Sequence, residues 1–420
     1  MKRTLDVYLH HRLIGHLVQD GHQRMAFAYA ESWLGSSSAI ALSHSLPLRA
    51  ESFSRKDCRA FFAGILPDEG KRKIISKNLG ISAQNDFAFL EHIGGECAGA
   101  VTFIPAGGAQ PAREDHFRRL DNKALAGILR DLPRRPLMAG EEGIRLSLAG
   151  AQDKIAVNIA DGVISVPLGG APSTHILKPA IEHFEDLVFN ESFCMRLARA
   201  IGLEVAGTEI GNVDGIDYLL VERYDRFFTQ SAADGTRKLH RAHQEDFCQA
   251  LGIVPEHKYQ IEGGPSLKQC FELVRAASTF PVRDLQSLLG AVIFNYVIGN
   301  HDAHGKNFSL LYQGENIGAH STRLAPLYDV LSTVYYPELS QKMAMRIGGE
   351  YFSDKVRPKH FEKLAEEVGL ARPLVKQRVS RVADAILANI PEIAGEHPAE
   401  RDVAQLIRER CENVLEMFRT

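Results

Sequence analysis

The sequence predicts an α+β protein in which a small mixed region and a β-rich region precede a helical carboxy-terminal half. Three observations predict this class. Apolar and polar residues alternate in the first thirty positions, as they do in half-buried strands. Short apolar runs then recur between residues 144 and 225. From Gln244 onward, apolar residues recur mostly at the i, i+3, i+4 spacing of amphipathic helices.

Composition places the chain among ordinary globular proteins. It has 420 residues, 45% of them hydrophobic, which is enough for two or three cores. A formal net charge of −3 gives no bulk attraction to nucleic acid or to an anionic membrane. No apolar run reaches the roughly 18 residues of a membrane span, and six scattered cysteines without a C-x-x-C pair are typical of reduced, buried thiols. We expect a cytoplasmic protein without membrane contact.

The first hundred residues form a small mixed region. The predicted elements are a hairpin at 5–18, a strand at 25–29, helices at 55–62 and 82–94, and a strand at 101–104. A Gly/Pro-rich run at 105–111 follows, and such runs mark boundaries. The sequence therefore predicts a first domain at 1–108.

A β-rich region follows. A strand pair is predicted at 144–148 and 154–159, joined by the small residues of 149–153, whose backbone N–H groups could approach a phosphate; an ordinary hairpin turn explains the same pattern. Lys178 ends a short strand, and a helix follows at 190–201. Glu191, in the predicted first turn of this helix, could hold Lys178 or simply complement the helix dipole. The strand at 218–225 runs into charged residues, and the region is bounded at 109–230.

The remainder, 231–420, is predicted to be helical. Helices are expected at 245–251, 267–277, 284–299, 359–369, 373–390 and 400–418, with Asp284 as the cap and Gly299 as the end of the third. Residues 364–370 could also begin a helix-turn-helix motif with Lys376, Arg378 and Arg381 on its second helix. A helical hairpin fits the nearly neutral charge better.

Polar residues are most concentrated at 300–307, between the helix at 284–299 and a strand at 308–312. The octet reads Asn300-His301-Asp302-Ala303-His304-Gly305-Lys306-Asn307. Asp302 and Asn307 have the spacing of the base and the metal ligand in a kinase catalytic loop, and Asp329 could supply a second ligand. His301, Asp302 and His304 could instead bind a transition metal in a hydrolase. A buried polar cluster that only closes the loop is the third interpretation.

Several motifs in this order resemble the HipA family, serine/threonine kinase toxins of bacterial toxin–antitoxin pairs. They are residues 45–48 (Ser-Leu-Pro-Leu), 64–68 (Gly-Ile-Leu-Pro-Asp) and 147–154 (Ser-Leu-Ala-Gly-Ala-Gln-Asp-Lys), Lys178, residues 222–226, residues 302–307 and Asp329. The resemblance implies a bilobal, protein-kinase-like fold. Its parts are a mixed amino-terminal subdomain, a β-rich nucleotide lobe and an all-helical carboxy-terminal lobe.

The resemblance also implies roles at matching positions. Asp302 is similar to the catalytic base, Asn307 and Asp329 to the Mg²⁺ ligands, and Ser147 to the serine that family members autophosphorylate. The other nucleotide-binding positions that it implies are Ala149, Gly150, Ala151, Gln152, Lys154, Lys178, Glu222, Tyr224, His304 and Lys306. Glu222 and Tyr224 correspond to the adenine hinge. Asp153 replaces the Glu of some members, a change that leaves these roles intact.

The implied cofactors are ATP and Mg²⁺. Known members phosphorylate aminoacyl-tRNA synthetases, mainly glutamyl-tRNA synthetase, and a small helix-turn-helix antitoxin, HipB, holds them and binds operator DNA. We therefore expect a synthetase substrate, a HipB-like partner and repression through that partner. Two alternatives remain open: a metal-dependent hydrolase that uses His301, Asp302 and His304, and a catalytically silent scaffold for DNA repression.

Overall fold

A computed structural model describes residues 2–108, 116–181, 184, 186–230, 237–313 and 321–419. The chain forms two compact units. The first comprises Met1–Ile181, Gly211–Glu256 and Leu311–Ser321, and the second comprises Glu182–Ile210, His257–Leu310 and Thr322–Thr420. The predicted division at 108 and 230 stays a prediction, and residues 109–115 and 231–236, which adjoin those boundaries, lie outside the described residues.

The first unit begins with a four-stranded antiparallel sheet of order β3-β2-β1-β4. Its strands are β1 (Arg3–Leu9), β2 (Arg12–Gln19), β3 (Met25–Tyr29) and β4 (Val101–Pro105). Its helices are α1 (Glu31–Leu34), α2 (Arg55–Gly64), α3 (Glu69–Leu79) and α4 (Asp86–Ile93). The predicted hairpin and third strand are confirmed, because their alternating apolar side chains bury one face against the helices.

A six-stranded sheet of order β5-β7-β6-β8-β10-β9 follows. Its strands are β5 (His116–Arg119), β6 (Ile155–Ala160), β7 (Val163–Leu168), β8 (His175–Pro179), β9 (Thr208–Val213), which begins in the second unit, and β10 (Ile216–Glu222). Helix α5 (Asn122–Asp131), strands β11 (Arg226–Gln230), β12 (Arg237–Arg241) and β13 (His243–Asp246), and helix α7 (Phe247–Ala250) complete this unit. One apolar core joins both sheets, from Leu5 in β1 to Leu220 in β10.

The second unit is mainly helical. It contains α6 (Leu187–Ala200), α8 (Leu267–Ala277), α9 (Pro281–Ile298), α10 (Pro358–Val368), α11 (Arg372–Ile393) and α12 (Pro398–Arg419). Strands β14 (Ser309–Gln313) and β15 (Ser321–Leu324) cross the boundary between the units, and β16 (Lys342–Ile347) pairs with β17 (Glu350–Phe352). This last hairpin was not predicted. It turns at Gly348 and Gly349, whose φ angles of +54° and +98° favour glycine.

The predicted strand at 144–148 is wrong. Leu146 forms only an isolated parallel bridge with Glu96, and the N–H of Ser147 donates to the carbonyl of Glu96 at 2.9 Å. Strand β6 pairs instead with β7 and β8. Ile144, Leu146 and Leu148 are buried in the apolar core, while the backbone of this segment bonds to the loop after α4. A buried loop therefore shows the alternation expected of a strand.

Two predicted helix starts also need correction. Helix α9 begins at Pro281, and Asp284 lies inside it, where its carboxylate pairs with Arg323 and accepts from Ser278 Oγ at 2.6 Å. Helix α6 begins at Leu187, so Glu191 lies beyond the first turn and is buried. Gly299 ends α9 at φ +75°, as predicted. Within the described ranges, no helix is both long enough and apolar enough to cross a membrane.

Candidate active site

The predicted phosphate loop, residues 147–154, lies between the bridge at Leu146 and the start of β6. Gly150 has a φ of +108°, a conformation that residues with a Cβ rarely adopt, so this position favours glycine. Lys154 Nζ donates to the carbonyl of Ala149 at 2.9 Å and thereby closes the loop. Gln152 Nε2 is buried without a hydrogen-bond partner in the described part of the chain. A buried amide without a partner is costly, and a bound anion would satisfy it.

Lys178 lies at the same end of the sheet as this loop. Strands β6 and β8 are antiparallel with Ile155 opposite Leu177. Lys154 directly precedes the first residue of that pair and Lys178 directly follows the second. Both lysines therefore lie next to the Ile155–Leu177 pair and on the same side of it. Lys178 is buried, with 5% of its surface exposed. The first unit thus brings two cations and a glycine loop together, as phosphate binding requires.

Ser147 is fully buried and is not a solvent-facing residue. Its Oγ donates to the carbonyl of Ile65 at 3.1 Å, and its side chain has no solvent exposure. A hydroxyl in this environment cannot accept a phosphoryl group until the loop moves. Ser147 as a modification site therefore requires an open form of the phosphate loop.

Glu222 and Tyr224 form the predicted adenine hinge. Glu222 is the last residue of β10 and pairs with His175 of β8, and Tyr224 lies just beyond the strand. Glu222 is exposed and Tyr224 is half-buried, with its hydroxyl hydrogen-bonded to Gln244. The residue between them, Arg223, is 4% exposed. Side chains along the predicted hinge therefore point alternately to solvent and to the interior, and Glu222 is accessible.

Arg223 belongs to a buried ionic cluster that sequence patterns did not indicate. Its members are Glu96, Arg223, Asp225, Arg226 and Arg241. Arg223 contacts Glu96 at 2.9 Å and Asp225 at 2.8 Å. Burial alone would raise the pKa of Glu96, but the guanidinium groups of Arg226, Arg241 and Arg223 hold that pKa at about 2. The hinge backbone is thereby fixed to the loop after α4.

In the second unit, the predicted catalytic loop at 300–307 is anchored at its start. Asn300 Nδ2 donates to Asn295 Oδ1 at 2.8 Å, and Asn300 Oδ1 accepts from the N–H of Asp302 at 3.1 Å. The N–H of His301 donates to Thr333 Oγ1 at 2.7 Å. Rigid anchors of this kind are what a catalytic loop needs, because small displacements of reacting groups are costly.

Asp302 is half-buried, and Oδ1 of its carboxylate accepts a 2.7 Å hydrogen bond from the hydroxyl of Tyr259. The carbonyl of Asp302 accepts from Asn307 Nδ2 at 3.1 Å and from the N–H of His304 at 2.7 Å. Asp302 and Asn307 are therefore brought together by direct contact. Sequence reasoning missed Tyr259, because it is distant in the chain and no motif contains it.

Asp329 is linked to this loop through its neighbour. The Tyr328 hydroxyl donates to the carbonyl of Lys306 at 2.6 Å and contacts Ser309 Oγ at 2.8 Å, on either side of Asn307. Asp329 itself has a φ of +58°, a conformation uncommon for residues other than glycine. Strained backbone of this kind is concentrated at functional sites. Lys306 and His304, both predicted to bind nucleotide, are buried.

The contacts of His301 do not favour a transition-metal site. His301 Nε2 contacts Ser353 Oγ at 2.8 Å and Nδ1 contacts the carbonyl of Ser340 at 3.3 Å, so both ring nitrogens are engaged. Burial lowers the pKa of His301 below its usual range. The described ranges contain no group of three His, Cys, Asp or Glu side chains that could hold a metal ion. These contacts position the loop.

Comparison with known proteins decides the family. The model of the HipA N-terminal domain matches residues 5–104, and the model of the HipA-like C-terminal domain matches residues 146–390. The chain belongs to the HipA family. The "Putative kinase Y4mE" of Sinorhizobium fredii is 48% identical over 386 residues, 91% of this chain and 90% of that protein. The "Serine/threonine-protein kinase toxin HipA" of Shewanella oneidensis is 30% identical over 402 residues, 93% of this chain and 89% of that toxin.

A solved structure confirms the fold. The complex of Shewanella oneidensis MR-1 HipA, HipB and operator DNA contains a chain that superposes with a TM-score of 0.84 at 28% identity, over 99% of this chain and 98% of that one. The predicted α+β, HipA-like kinase fold is therefore confirmed. The predicted enzyme class, a serine/threonine protein kinase, is confirmed as that of the HipA family.

Proposed function

We propose that this HipA-family chain is a Mg²⁺-ATP-dependent kinase that phosphorylates serine or threonine on a protein of the translation machinery, as the toxin of a toxin–antitoxin pair in the cytoplasm. The observation that carries the proposal is the closed loop in which Asp302 contacts Asn307 and Tyr259. A carboxylate oriented by a tyrosine hydroxyl suits a base that accepts the proton of an acceptor hydroxyl.

Each candidate site residue of the second unit would have one role. Asp302 orients the acceptor hydroxyl and takes its proton, and Tyr259 fixes the rotation of the Asp302 carboxylate. Asn307 and Asp329 would hold Mg²⁺ through their side-chain oxygens, which are the ligands that this ion prefers. Bound Mg²⁺ neutralises charge on the transferring phosphoryl group.

In the first unit, the residues fit the phosphates of ATP. Lys154 and Lys178 supply positive charge at one end of the sheet, and the buried Nε2 of Gln152 offers a donor without a partner among the described residues. Gly150 allows the backbone to approach a ligand closely. The exposed Glu222 and the half-buried Tyr224 would contact the adenine.

The substrate class that we propose is an aminoacyl-tRNA synthetase, and the partner a small HipB-like helix-turn-helix antitoxin. The proposed partner is supported by the solved complex, in which the Shewanella oneidensis HipA assembles with HipB and operator DNA. Contact of this chain with DNA would come through the antitoxin, since its own net charge of −3 gives no general attraction to DNA. Ser147 is the proposed site of autophosphorylation.

The test is to incubate the purified protein with isotopically labelled ATP and a cell extract, and to identify labelled proteins by mass spectrometry. We expect labelled serine or threonine on an aminoacyl-tRNA synthetase and on Ser147, with Mg²⁺ required. Label on other proteins alone would overturn the substrate class. Absence of any transfer would favour the catalytically silent scaffold, provided that the protein still binds the antitoxin.

A further inference from the structure

Glu96, in the loop between α4 and β4, contacts two separate parts of the proposed nucleotide site within the first unit. Its N–H donates to the carbonyl of Arg145 at 2.8 Å, and its carbonyl accepts from the N–H of Ser147 at 2.9 Å. Its side chain, of which 1% is exposed, contacts instead the hinge segment, residues 222–226. The backbone of Glu96 therefore anchors the start of the predicted phosphate loop, and its carboxylate anchors the hinge segment.

Both oxygens of the Glu96 carboxylate accept hydrogen bonds. Oε1 accepts from Arg223 Nη1 at 2.9 Å and from Arg226 Nη2 at 2.8 Å, two residues of the hinge segment. The same oxygen accepts from the N–H and the hydroxyl of Ser173 at 3.0 and 2.8 Å. Oε2 accepts from Arg241 in β12. One buried oxygen thus holds both arginines of the hinge segment, while the other holds an arginine outside it.

Asp225 extends these contacts to the side chain of Tyr224. Its Oδ1 accepts from Arg223 Nε at 3.0 Å, and its Oδ2 accepts from Gln244 Nε2 at 3.2 Å. The Oε1 of Gln244 in turn accepts from the Tyr224 hydroxyl. A continuous network of hydrogen bonds therefore joins the Glu96 carboxylate to one of the two residues assigned to the adenine.

We propose that Glu96 is a positioning residue for the adenine of ATP, because its carboxylate fixes the hinge segment in the form that receives the base. Supporting contacts of this kind set the precision of a binding site. The inference rests on the proposed function, which places adenine at Glu222 and Tyr224. It adds that the region matched by the HipA N-terminal domain, residues 5–104, supplies a residue on which nucleotide affinity depends.

Replacing the Glu96 carboxylate by an amide separates its two contacts. Removing one partner of a buried ion pair leaves the other charge uncompensated. Arg223 and Arg226 would then keep Asp225 as the one carboxylate that the described residues offer them, so they would shift and the hinge backbone with them. The bonds to the start of the phosphate loop come from the backbone of residue 96 and do not depend on its side chain.

Three full-length variants test the proposal. Glu96→Gln keeps the length of the side chain and removes its charge. Arg241→Met is the matched control, because Arg241 belongs to the same buried cluster but lies outside the hinge segment. The double variant Glu96→Gln/Arg241→Met removes one charge of each sign, so the net charge of the cluster is that of the wild type. It provides a second protein for the test if Glu96→Gln alone does not fold, and circular dichroism verifies the fold of each.

Calorimetry compares the affinities of these proteins for ATP and for inorganic tripolyphosphate, each with Mg²⁺. Glu96→Gln should bind ATP roughly tenfold more weakly than the wild type, the effect of losing one charged hydrogen bond, and tripolyphosphate with unchanged affinity. The double variant should show the same loss relative to Arg241→Met, which should itself bind both ligands as the wild type does. An equal loss for both ligands, or no loss for ATP, would overturn the positioning role.

Hydrogen exchange in the nucleotide-free proteins separates this inference from the proposed function. The peptide that spans residues 222–226 should exchange roughly tenfold faster in Glu96→Gln than in Arg241→Met, while a peptide from β1 exchanges equally in both. Unchanged exchange at 222–226, with ATP bound by the wild type, would overturn the role of Glu96 alone. Faster exchange there, with no ATP bound by any of the proteins, would overturn the proposed function and the adenine role that depends on it.

Discussion

The hydroxyl of Tyr259 donates a hydrogen bond to Oδ1 of Asp302 across 2.7 Å. The tyrosine ring also meets the His304 ring edge-on, with centroids 5.4 Å apart. The carboxylate that we assign as the base is thus oriented from a segment 43 residues earlier in the chain. Tyr259 is a positioning residue, because its proposed effect on the reaction is exerted through Asp302.

Tyr259→Phe should lower kcat roughly tenfold, the effect of losing one hydrogen bond to a charged group, because the Asp302 carboxylate could then rotate. The affinity for ATP should be unchanged. Steady-state kinetics and calorimetry measure the two quantities, and Tyr351→Phe in β17 is the control. A loss confined to ATP affinity would contradict a positioning role.

Asp329→Ala should abolish transfer at ordinary Mg²⁺ concentrations, because one of two proposed oxygen ligands is removed. His301→Ala should retain some ATP-dependent transfer, since its ring contacts Ser353 and Ser340 and has no proposed part in the transfer itself. Activity is titrated against Mg²⁺ in each variant. The hydrolase interpretation predicts instead stoichiometric zinc, and activity that is lost on zinc-specific chelation but not on Mg²⁺ withdrawal.

Stability should depend on pH through Glu245. Burial raises the pKa of this carboxyl to about 7, although Ser43, Tyr312 and the N–H of His44 donate hydrogen bonds to it. Between its usual pKa of 4.5 and about 7, the folded state binds the proton more tightly than the unfolded state. The free energy of unfolding therefore falls as pH rises through this window, by up to about 1.4 kcal/mol per pH unit from this group.

Chemical denaturation of the wild type and of Glu245→Gln between pH 4.5 and 8 measures this contribution. The amide does not titrate, so the wild type should lose stability relative to the variant as pH rises to about 7, and the difference should then be constant. Glu69→Gln, at an exposed position on α3, is the control. A stability difference that grows in the opposite direction would show that the folded protein favours the carboxylate.

Phosphorylation of Ser147 should weaken ATP binding. The phosphate would bring negative charge into the loop assigned to the phosphates of ATP and could capture Lys154. Calorimetry with the phosphorylated protein, the dephosphorylated protein and Ser147→Ala compares their affinities. The dephosphorylated protein and Ser147→Ala should bind ATP with similar affinity. The phosphorylated protein should bind ATP at least tenfold more weakly, the effect of about 1.4 kcal/mol of repulsion. Equal ATP affinities of the phosphorylated and dephosphorylated proteins would show that a phosphate on Ser147 does not control ATP binding.

The elements that depend on local periodicity were predictable from the sequence. The hairpin of β1 and β2 and the end of α9 at Gly299 follow from alternation and from a left-handed glycine cap. The strand predicted at 144–148 is wrong because the apolar residues there are buried in a loop that bonds to the segment after α4. The periodicity of apolar residues shows which side chains are buried, but it does not show whether the segment pairs with a neighbouring strand.

Some contacts of the candidate site were predictable from local spacing, and others were not. Asp302 and Asn307 could be found because five positions separate them within one loop, and they do contact each other. Tyr259, which contacts Asp302, and Glu96, which contacts Arg223, come from distant segments with no spacing to reveal them. The burial of Ser147 was also hidden, since its partner Ile65 is 82 residues away.

Single-turnover phosphoryl transfer by Asp302→Asn tests whether Asp302 is the general base. Wild type and variant, matched in fold by circular dichroism and in ATP affinity by calorimetry, are mixed with labelled Mg²⁺-ATP and the purified acceptor protein. An amide can still accept from Tyr259 but cannot take the proton of the acceptor hydroxyl. We expect a transfer rate at least roughly a hundredfold below that of the wild type, the usual contribution of a general base. Transfer at nearly the wild-type rate would contradict it.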